Sequence, residues 1–333
     1  MPSKNKGKKQ KNELTDSVKL SGLVVKTAGG SSWVRIDGSG ETVECRVKGK
    51  FRLKGIRTTN PVAVGDRVKV SMAAAGDVSY ITEIEPRRNY IIRRASNLSK
   101  ESHILAANVD QALLVVTLKQ PGTPIIFIDR FLATCEAYNI KASIIVNKTD
   151  LFDEICEELA EGMKVLYTGL GYGFLLTSAE TGKGIEQLRE MTRDKLSLMA
   201  GNSGVGKSSL INKLVPGANL RTGRISDIHQ TGMHTTTFSE MVTLPYGGDL
   251  IDIPGVKGFG MIDFEKDEVY HYFPEIFKAS ANCKYGNCRH TGEPGCAVKE
   301  MVDRHYIAES RFNSYLNILE EIEDKGEKYR KAY

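Results

Sequence analysis

No apolar run in the 333 residues approaches the roughly 18–20 positions that a membrane-spanning helix needs. The longest candidates, such as Ala112 to Val116, have the length and texture of buried strands. No membrane partner is expected. The amino-terminal lysines, Lys4, Lys6, Lys8, Lys9 and Lys11, are not followed by the apolar stretch a secretory signal requires, so a cytoplasmic location is expected. Cysteine is sparse. In that location six cysteines, three of them crowded at Cys283, Cys288 and Cys296, point to metal before disulfide. Nor does one sign of charge dominate, since a net +5 says little about nucleic acid by itself. What remains is the composition of an ordinary globular protein, 41% hydrophobic and 26% charged, at a length that implies two or three domains.

Residues 1–16 are lysine-rich with almost nothing to bury, and read as a disordered basic tail, either a solubilising terminus or a salt-dependent grip on phosphates. Residues 17–95 hold five short β-rich runs separated by turn residues: 20–26, 32–36, 41–47, 66–71 and 79–84. They suit a small barrel of the OB-fold type. Trp33, Phe51 and Tyr80 stand among Lys48, Lys50, Arg52, Lys54 and Arg57, the mixture of stacking rings and cations that single strands of RNA require; the competing reading makes those rings barrel core. The arginine-rich stretch 86–103 marks a boundary. Beyond it, over 96–270, buried strands alternate with helical patterns at about 126–139, 183–195 and 207–215, which predicts a mostly parallel sheet covered on both faces.

Gly201, Asn202, Ser203, Gly204, Val205, Gly206, Lys207 and Ser208, followed by Ser209, fit the P-loop pattern directly after an apolar strand and at the opening of a helix. The glycines let successive backbone N–H groups turn toward phosphate oxygens, Lys207 adds a point charge, and Ser208 offers a Mg²⁺ ligand. Asp252-Ile253-Pro254-Gly255 ends a later apolar strand, with Asp252 placed to hold Mg²⁺ and the Gly255 N–H to meet the γ-phosphate. Between them, His234-Thr235-Thr236-Thr237 supplies a threonine to complete the Mg²⁺ shell. Thr236 is chosen by position, with both neighbours open.

Asn147-Lys148-Thr149-Asp150 ends another buried strand, and its chemistry selects guanine. Asp150 can accept from the ring N1–H and the exocyclic amine, which adenine cannot return, while Asn147 pins the loop and the Lys148 stem packs on the ring. Ser178 and Ala179 follow the next strand, where the Ala179 N–H reaches toward the guanine carbonyl. The base elements therefore precede the phosphate elements, the reverse of ordinary small GTPases, and the domain is expected to be circularly permuted: joined termini and a new break leave spatial neighbours unchanged. Its chain leaves immediately after the segment that senses the γ-phosphate.

Residues 271–333 open with Cys283-x4-Cys288-x-His290-x5-Cys296, a donor set for one structural, tetrahedral Zn²⁺, and continue as a helical tail from about Val298 to Arg330.

The motif order, the histidine–threonine run, the Asn108-Val109-Asp110-Gln111 entry to the first strand, the barrel and the cysteine cluster together resemble the RsgA (YjeQ) family of small-ribosomal-subunit biogenesis GTPases. The resemblance runs from about residue 18 to the last helix. Met233 departs from it, standing where that family usually has arginine, and puts only a local contact in question. The resemblance implies a monomeric GTPase that takes GTP and GDP, grips the small (30S) subunit and its rRNA through barrel and zinc domains, with Lys284, Arg289 and Arg304 among the basic residues, and couples hydrolysis to late subunit maturation and release. Val256 stands where many GTPases carry a water-orienting glutamine, so slow intrinsic turnover is expected, with His234 the nearest residue to position water. A competing role for His234 is RNA contact or packing. Competing functions are a constitutive RNA-binding module with a structural nucleotide site, a GTPase of another ribonucleoprotein, and an ATP-dependent kinase, which Asp150 opposes.

Overall fold

The computed structural model describes residues 19–47, 61–73, 78–94, 102–217, 240–252 and 265–330, with side chains at 93–94, 102–103, 240 and 323–330 excepted. The tail 1–16, the basic loop 48–57 with Phe51, the segment holding His234 and Thr235–Thr237, and Gly255 lie outside the described residues.

β1 (Lys19–Ala28), β2 (Ser31–Ile36), β3 (Thr42–Val47), β4 (Arg67–Ser71) and β5 (Ser79–Ile84) are neighbours in the order β1-β2-β3-β5-β4, and β4 pairs back onto β1 to close a five-stranded barrel. The period-2 pattern sends Val34 and Ile36 inward with Val24, Cys45, Val68, Val70 and Ile81. Gly22 permits the closure, because a Cβ there would stand 2.5 Å from Val34 Cγ1 and 2.8 Å from the Arg35 carbonyl oxygen. Trp33, one residue out of phase, faces outward with the Lys26 ammonium 5.7 Å from its ring centroid, and Tyr80 is exposed. The barrel-core alternative thus fails for both rings.

An antiparallel ribbon, β6 (Tyr90–Arg94) and β7 (Ser102–Ala107), occupies part of the stretch expected to be a mere boundary. Its approach is stapled by ion pairs. Arg87 donates from Nε and Nη2 to the Asp66 carboxylate at 2.6 Å each, with both groups buried, and Arg88 donates to Asp110 at 2.6 Å.

After the ribbon come β8 (Gln111–Val116), α1 (Ile125–Ala137), β9 (Lys141–Val146), α2 (Glu154–Gly169), β10 (Gly173–Leu176), α3 (Ile185–Thr192), β11 (Leu196–Ala200), α4 (Lys207–Leu214), β12 (Glu240–Thr243) and β13 (Asp249–Asp252). They build a sheet in the order β10-β9-β8-β11-β13-β12, parallel except for β12. Alternation divides each strand between two cores: Ala112, Leu114 and Val116 pack with α1 and α2, whereas Leu113 and Val115 pack with α3 and α4. Among the described residues the sheet continues into the barrel through one pairing, Lys26 to Glu240, and Arg35 of β2 reinforces the seam with a bidentate contact to Asp249 at 2.5 and 2.8 Å.

A single 3₁₀ turn (Val269–Tyr272), α5 (Pro274–Ser280), α6 (Ala297–Asp303) and α7 (Glu309–Arg330) form the last unit. Its core of Phe273, Ile276, Val298, Tyr315 and Leu319 also takes in Ala133 of α1. At that junction the fully buried Arg311 donates to Asp129 of α1 at 2.9 Å and to Glu275 of α5 at 2.7 Å, with its guanidinium 4.6 Å from the Phe273 ring centroid. Tyr167 of α2 donates to the same Asp129 oxygen at 2.8 Å.

Candidate functional site

At the carboxyl ends of β8, β9, β10 and β11 four loops converge, the position at which open α/β sheets receive their ligands. The 201–206 loop joins β11 to α4. Gly201, Gly204 and Gly206 hold φ of 149°, 83° and 93°, a run that L side chains rarely adopt and that curls the backbone N–H groups toward one concavity. Lys207 Nζ spans this curl, donating to the carbonyls of Gly201 at 2.7 Å and Asn202 at 3.1 Å. Burial lowers its pKa, opposed by the charge of Asp252.

Asp252 ends β13, pairing in register with Met199 of β11 and so lying beside the loop. Burial raises its pKa, Lys207 lowers it, and Oδ1 is a buried oxygen with no hydrogen-bond partner among the described residues. An orphaned carboxylate oxygen beside the hydroxyl-bearing start of α4, at Ser208 and Ser209, is the donor set Mg²⁺ accepts.

The base loops are locked to the phosphate loop by one amide. Asn147, almost wholly buried, donates from Nδ2 to the Val205 carbonyl at 2.9 Å, while its Oδ1 accepts from Thr177 Oγ1 at 3.2 Å and from the Ala179 N–H at 3.3 Å. A Cβ on Gly206 would sit 2.4 Å from that Nδ2, so glycine is required for the approach. Ser178 Oγ donates to Asp150 at 2.5 Å and orients the carboxylate expected to read guanine. Lys148 adopts a left-handed φ of 63° and donates from Nζ to the Gln120 carbonyl at 2.7 Å.

That last contact brings in a segment the sequence reading passed over. The loop 117–124 leaves β8 next to β11, is braced by Thr117 and Thr123, and sets Pro121 against Gly204. Its signal was available: a Pro-Gly turn at the carboxyl end of the strand beside the P-loop strand. The entry residues of β8 also acquire roles, since Asp110 accepts from the Leu196 N–H at 2.7 Å and Gln111 donates to Met191 and Ser197. Two sizeable cavities, of about 410 and 520 Å³, lie away from this chemistry, one at the amino ends of β8 to β10 and one beside the barrel.

In the last unit, the donor atoms of Cys283, Cys288, His290 and Cys296 all lie within 4.8 Å of one another. His290 Nδ1 stands 3.6 Å from Cys283 Sγ and 3.4 Å from Cys296 Sγ. Sulfur at about 2.3 Å and nitrogen at about 2.0 Å from a tetrahedral ion imply separations of this size, so the residues fit a metal. Burial pushes the Cys288 thiol up to about 12, raises Cys296 and lowers His290. Glu293 closes the knuckle by accepting from the N–H groups of Arg289, Thr291 and Gly292 at 2.8–3.0 Å. Burial alone would raise its pKa, but these donors hold it at about 2.

A P-loop, an Asp-x-x-Gly carboxylate and an Asn-Lys-x-Asp base loop, assembled on a sheet that the chain enters at the base end, define a circularly permuted guanine-nucleotide-binding protein. Comparison with known proteins carries this further. Residues 84–262 match the family model of the RsgA GTPase, and residues 21–81 match that of the RsgA N-terminal domain. Small ribosomal subunit biogenesis GTPase RsgA of Bacteroides fragilis is 55% identical over 314 residues, covering 94% of this chain and 100% of the relative; its counterpart in Porphyromonas gingivalis is 54% identical over 318 residues, with the same coverage. Among solved structures, YjeQ from Thermotoga maritima superposes with a TM-score of 0.75 at 35% identity, covering 91% of this chain and 98% of that one. YloQ, a circularly permuted GTPase, gives 0.71 at 29% identity, with 95% and 99% covered. The chain belongs to the RsgA GTPase family, and hydrolysis of GTP is its activity. The expected architecture of barrel, permuted GTPase domain and carboxyl-terminal metal-ligand cluster is met.

Proposed function

We propose that this protein is a cytoplasmic, monomeric GTPase that binds the small ribosomal subunit and its rRNA and couples GTP hydrolysis to late subunit maturation and to its own release. The observation that carries the nucleotide part is the Asn147 clamp, whose side chain ties the Asp150 base loop to the phosphate loop at the Val205 carbonyl and to the second base loop at the Ala179 N–H. The subunit part is supported by relatives of that name at 55% identity over 94% of the chain. In this reading residues 17–95 are the RNA-gripping barrel, 96–270 the GTPase domain, and 271–333 the zinc domain.

Gly201 to Ser209 and Gly255 cradle the phosphates, Asn147, Lys148, Asp150, Ser178 and Ala179 hold the base, and Ser208, Thr236 and Asp252 hold Mg²⁺. When bound, Mg²⁺ neutralises charge on the β- and γ-phosphate oxygens. Lys207 supplies a second, fixed positive charge at those oxygens. His234 orients the attacking water, a task that Val256 cannot perform. Cys283, Cys288, His290 and Cys296 hold one structural Zn²⁺, supported by the soft sulfur-rich donor set.

The test is GTP turnover by the purified protein alone and with purified small subunits, large subunits or bare RNA. Stimulation by small subunits alone is expected; equal stimulation by all three removes the subunit assignment and leaves the nucleotide site standing. Single-turnover hydrolysis by His234→Ala, with subunits present, separates a catalytic histidine from one that only contacts RNA, because full retained activity excludes the former.

A further inference from the structure

The outer surface of α2 carries more apolar side chain than a solvent-facing helix needs. Ile155 is 76% exposed and Val165 66%, with Leu159 exposed between them. At about 100° per residue, Ile155, Leu159 and Gly162 fall in one stripe roughly 60° wide, and Val165 lies about 60° beyond Gly162 on the glutamate side. Cys156, Ala160, Met163 and Tyr167 on one side of that stripe are buried, and Glu154, Glu158 and Glu161 border the other. Among the described residues nothing covers this face.

Gly162 adds a second observation. It lies inside a 16-residue helix, where glycine costs about 1 kcal/mol relative to alanine. A Cβ there would meet nothing within 4 Å, and its φ is not positive, so the fold itself has no use for a glycine. Its absent side chain instead allows a partner to approach the helix backbone closely.

Charge decides the kind of partner. The helix holds four glutamates against one lysine, in a chain whose net charge is +5, and that lysine, Lys164, is paired with Glu161 at 3.5 Å. Such a face repels phosphates and attracts cations. We infer that the Ile155–Leu159–Gly162 stripe docks a basic protein segment that presents aliphatic side chains flanked by lysine or arginine, carried by a protein of the small ribosomal subunit. This rests on the subunit reading above. A nucleic-acid partner would lack both the apolar side chains to fill the stripe and the charge to meet its acidic edge.

The experiment places a photo-crosslinking amino acid at position 155 of the full-length chain, irradiates it with purified small subunits, and recovers the cosedimenting complex. A nuclease-resistant, protease-sensitive adduct to a ribosomal protein is expected. An adduct to rRNA, to a second copy, or to the chain's own lysine-rich residues 1–16 overturns the inference, as does a cosedimenting complex with no adduct. Failure to cosediment at all removes the subunit reading and the named occupant with it. In parallel, the double variant Ile155→Ser/Val165→Ser, whose sites lie on the surface, is expected to bind small subunits on the order of tenfold more weakly, with basal GTP turnover unchanged within about twofold. Unchanged subunit affinity in that variant also overturns it.

Discussion

Replacing Arg311 with leucine is the sharpest probe of how the last unit is held to the nucleotide domain. The guanidinium and the Asp129 carboxylate have no solvent exposure, and Glu275 is nearly as buried. Leucine matches much of the apolar stem but leaves two carboxylates facing each other in a dry interface. Removing one partner of such a pair costs about 3–5 kcal/mol, several times an exposed ion pair. Asp129→Asn is milder: Glu275 still holds the arginine, and the amide oxygen still accepts from Tyr167, so about 1–2 kcal/mol is expected. Native-state hydrogen exchange along α7, at fixed zinc and GDP, reads the local opening free energy directly. Fluorescence of Trp33, the only tryptophan, sits on the barrel and serves as an internal reference that should not move. A loss below about 1 kcal/mol for Arg311→Leu would refute the reasoning, since the pair would then be as weak as one on the surface.

Gly206→Ala should abolish nucleotide binding in an equilibrium titration while leaving the barrel folded, because its Cβ would collide with the Asn147 amide at a φ of 93°. Gly65→Ala should destabilise the barrel–ribbon junction by on the order of 3 kcal/mol in urea unfolding, as its Cβ would stand 2.0 Å from the Ala107 carbonyl oxygen at a φ of 90°. Metal uptake by Cys283, Cys288, His290 and Cys296 should release protons and weaken as pH falls, because burial holds the Cys288 and Cys296 thiols protonated at neutral pH; proton release in weak buffer measures it, and a pH-independent affinity would contradict it. Glu293→Ala should weaken metal retention about tenfold in a competition with a chelator, through lost support of the Arg289, Thr291 and Gly292 N–H groups.

Much of this was legible in the residues, for reasons that differ from place to place. The P-loop, the Asn-Lys-x-Asp segment and the cysteine knuckle are local: their chemistry resides in a few consecutive residues, and spacing alone carries it. The barrel strands were readable to within a residue or two because alternation is a local signal as well. α2 was missed although Asp153 caps it and Cys156, Ala160, Met163 and Tyr167 mark its buried face. Ile155, Leu159, Val165 and Leu166 blur that period by adding apolar residues elsewhere around the helix. Arginines 87 and 88 read as boundary charge because their partners, Asp66 and Asp110, are about twenty residues distant. Arg311 had no local signal at all, with Asp129 lying 182 residues back in the chain.

The seam between barrel and GTPase sheet limits what may be cut apart. β12 is the outermost strand of the nucleotide-binding sheet, and the last residues of β1 shelter its free side at Lys26 and Glu240, with Arg35 fastened to Asp249 beside them. Among the described residues, removing the barrel would uncover β12 only at Glu240 and would leave the Asp249 carboxylate with Thr243 but without its arginine. The barrel therefore supplies its neighbour with a neutralising charge, and a GTPase fragment prepared without it would carry Asp249 without Arg35 even with its nucleotide pocket intact.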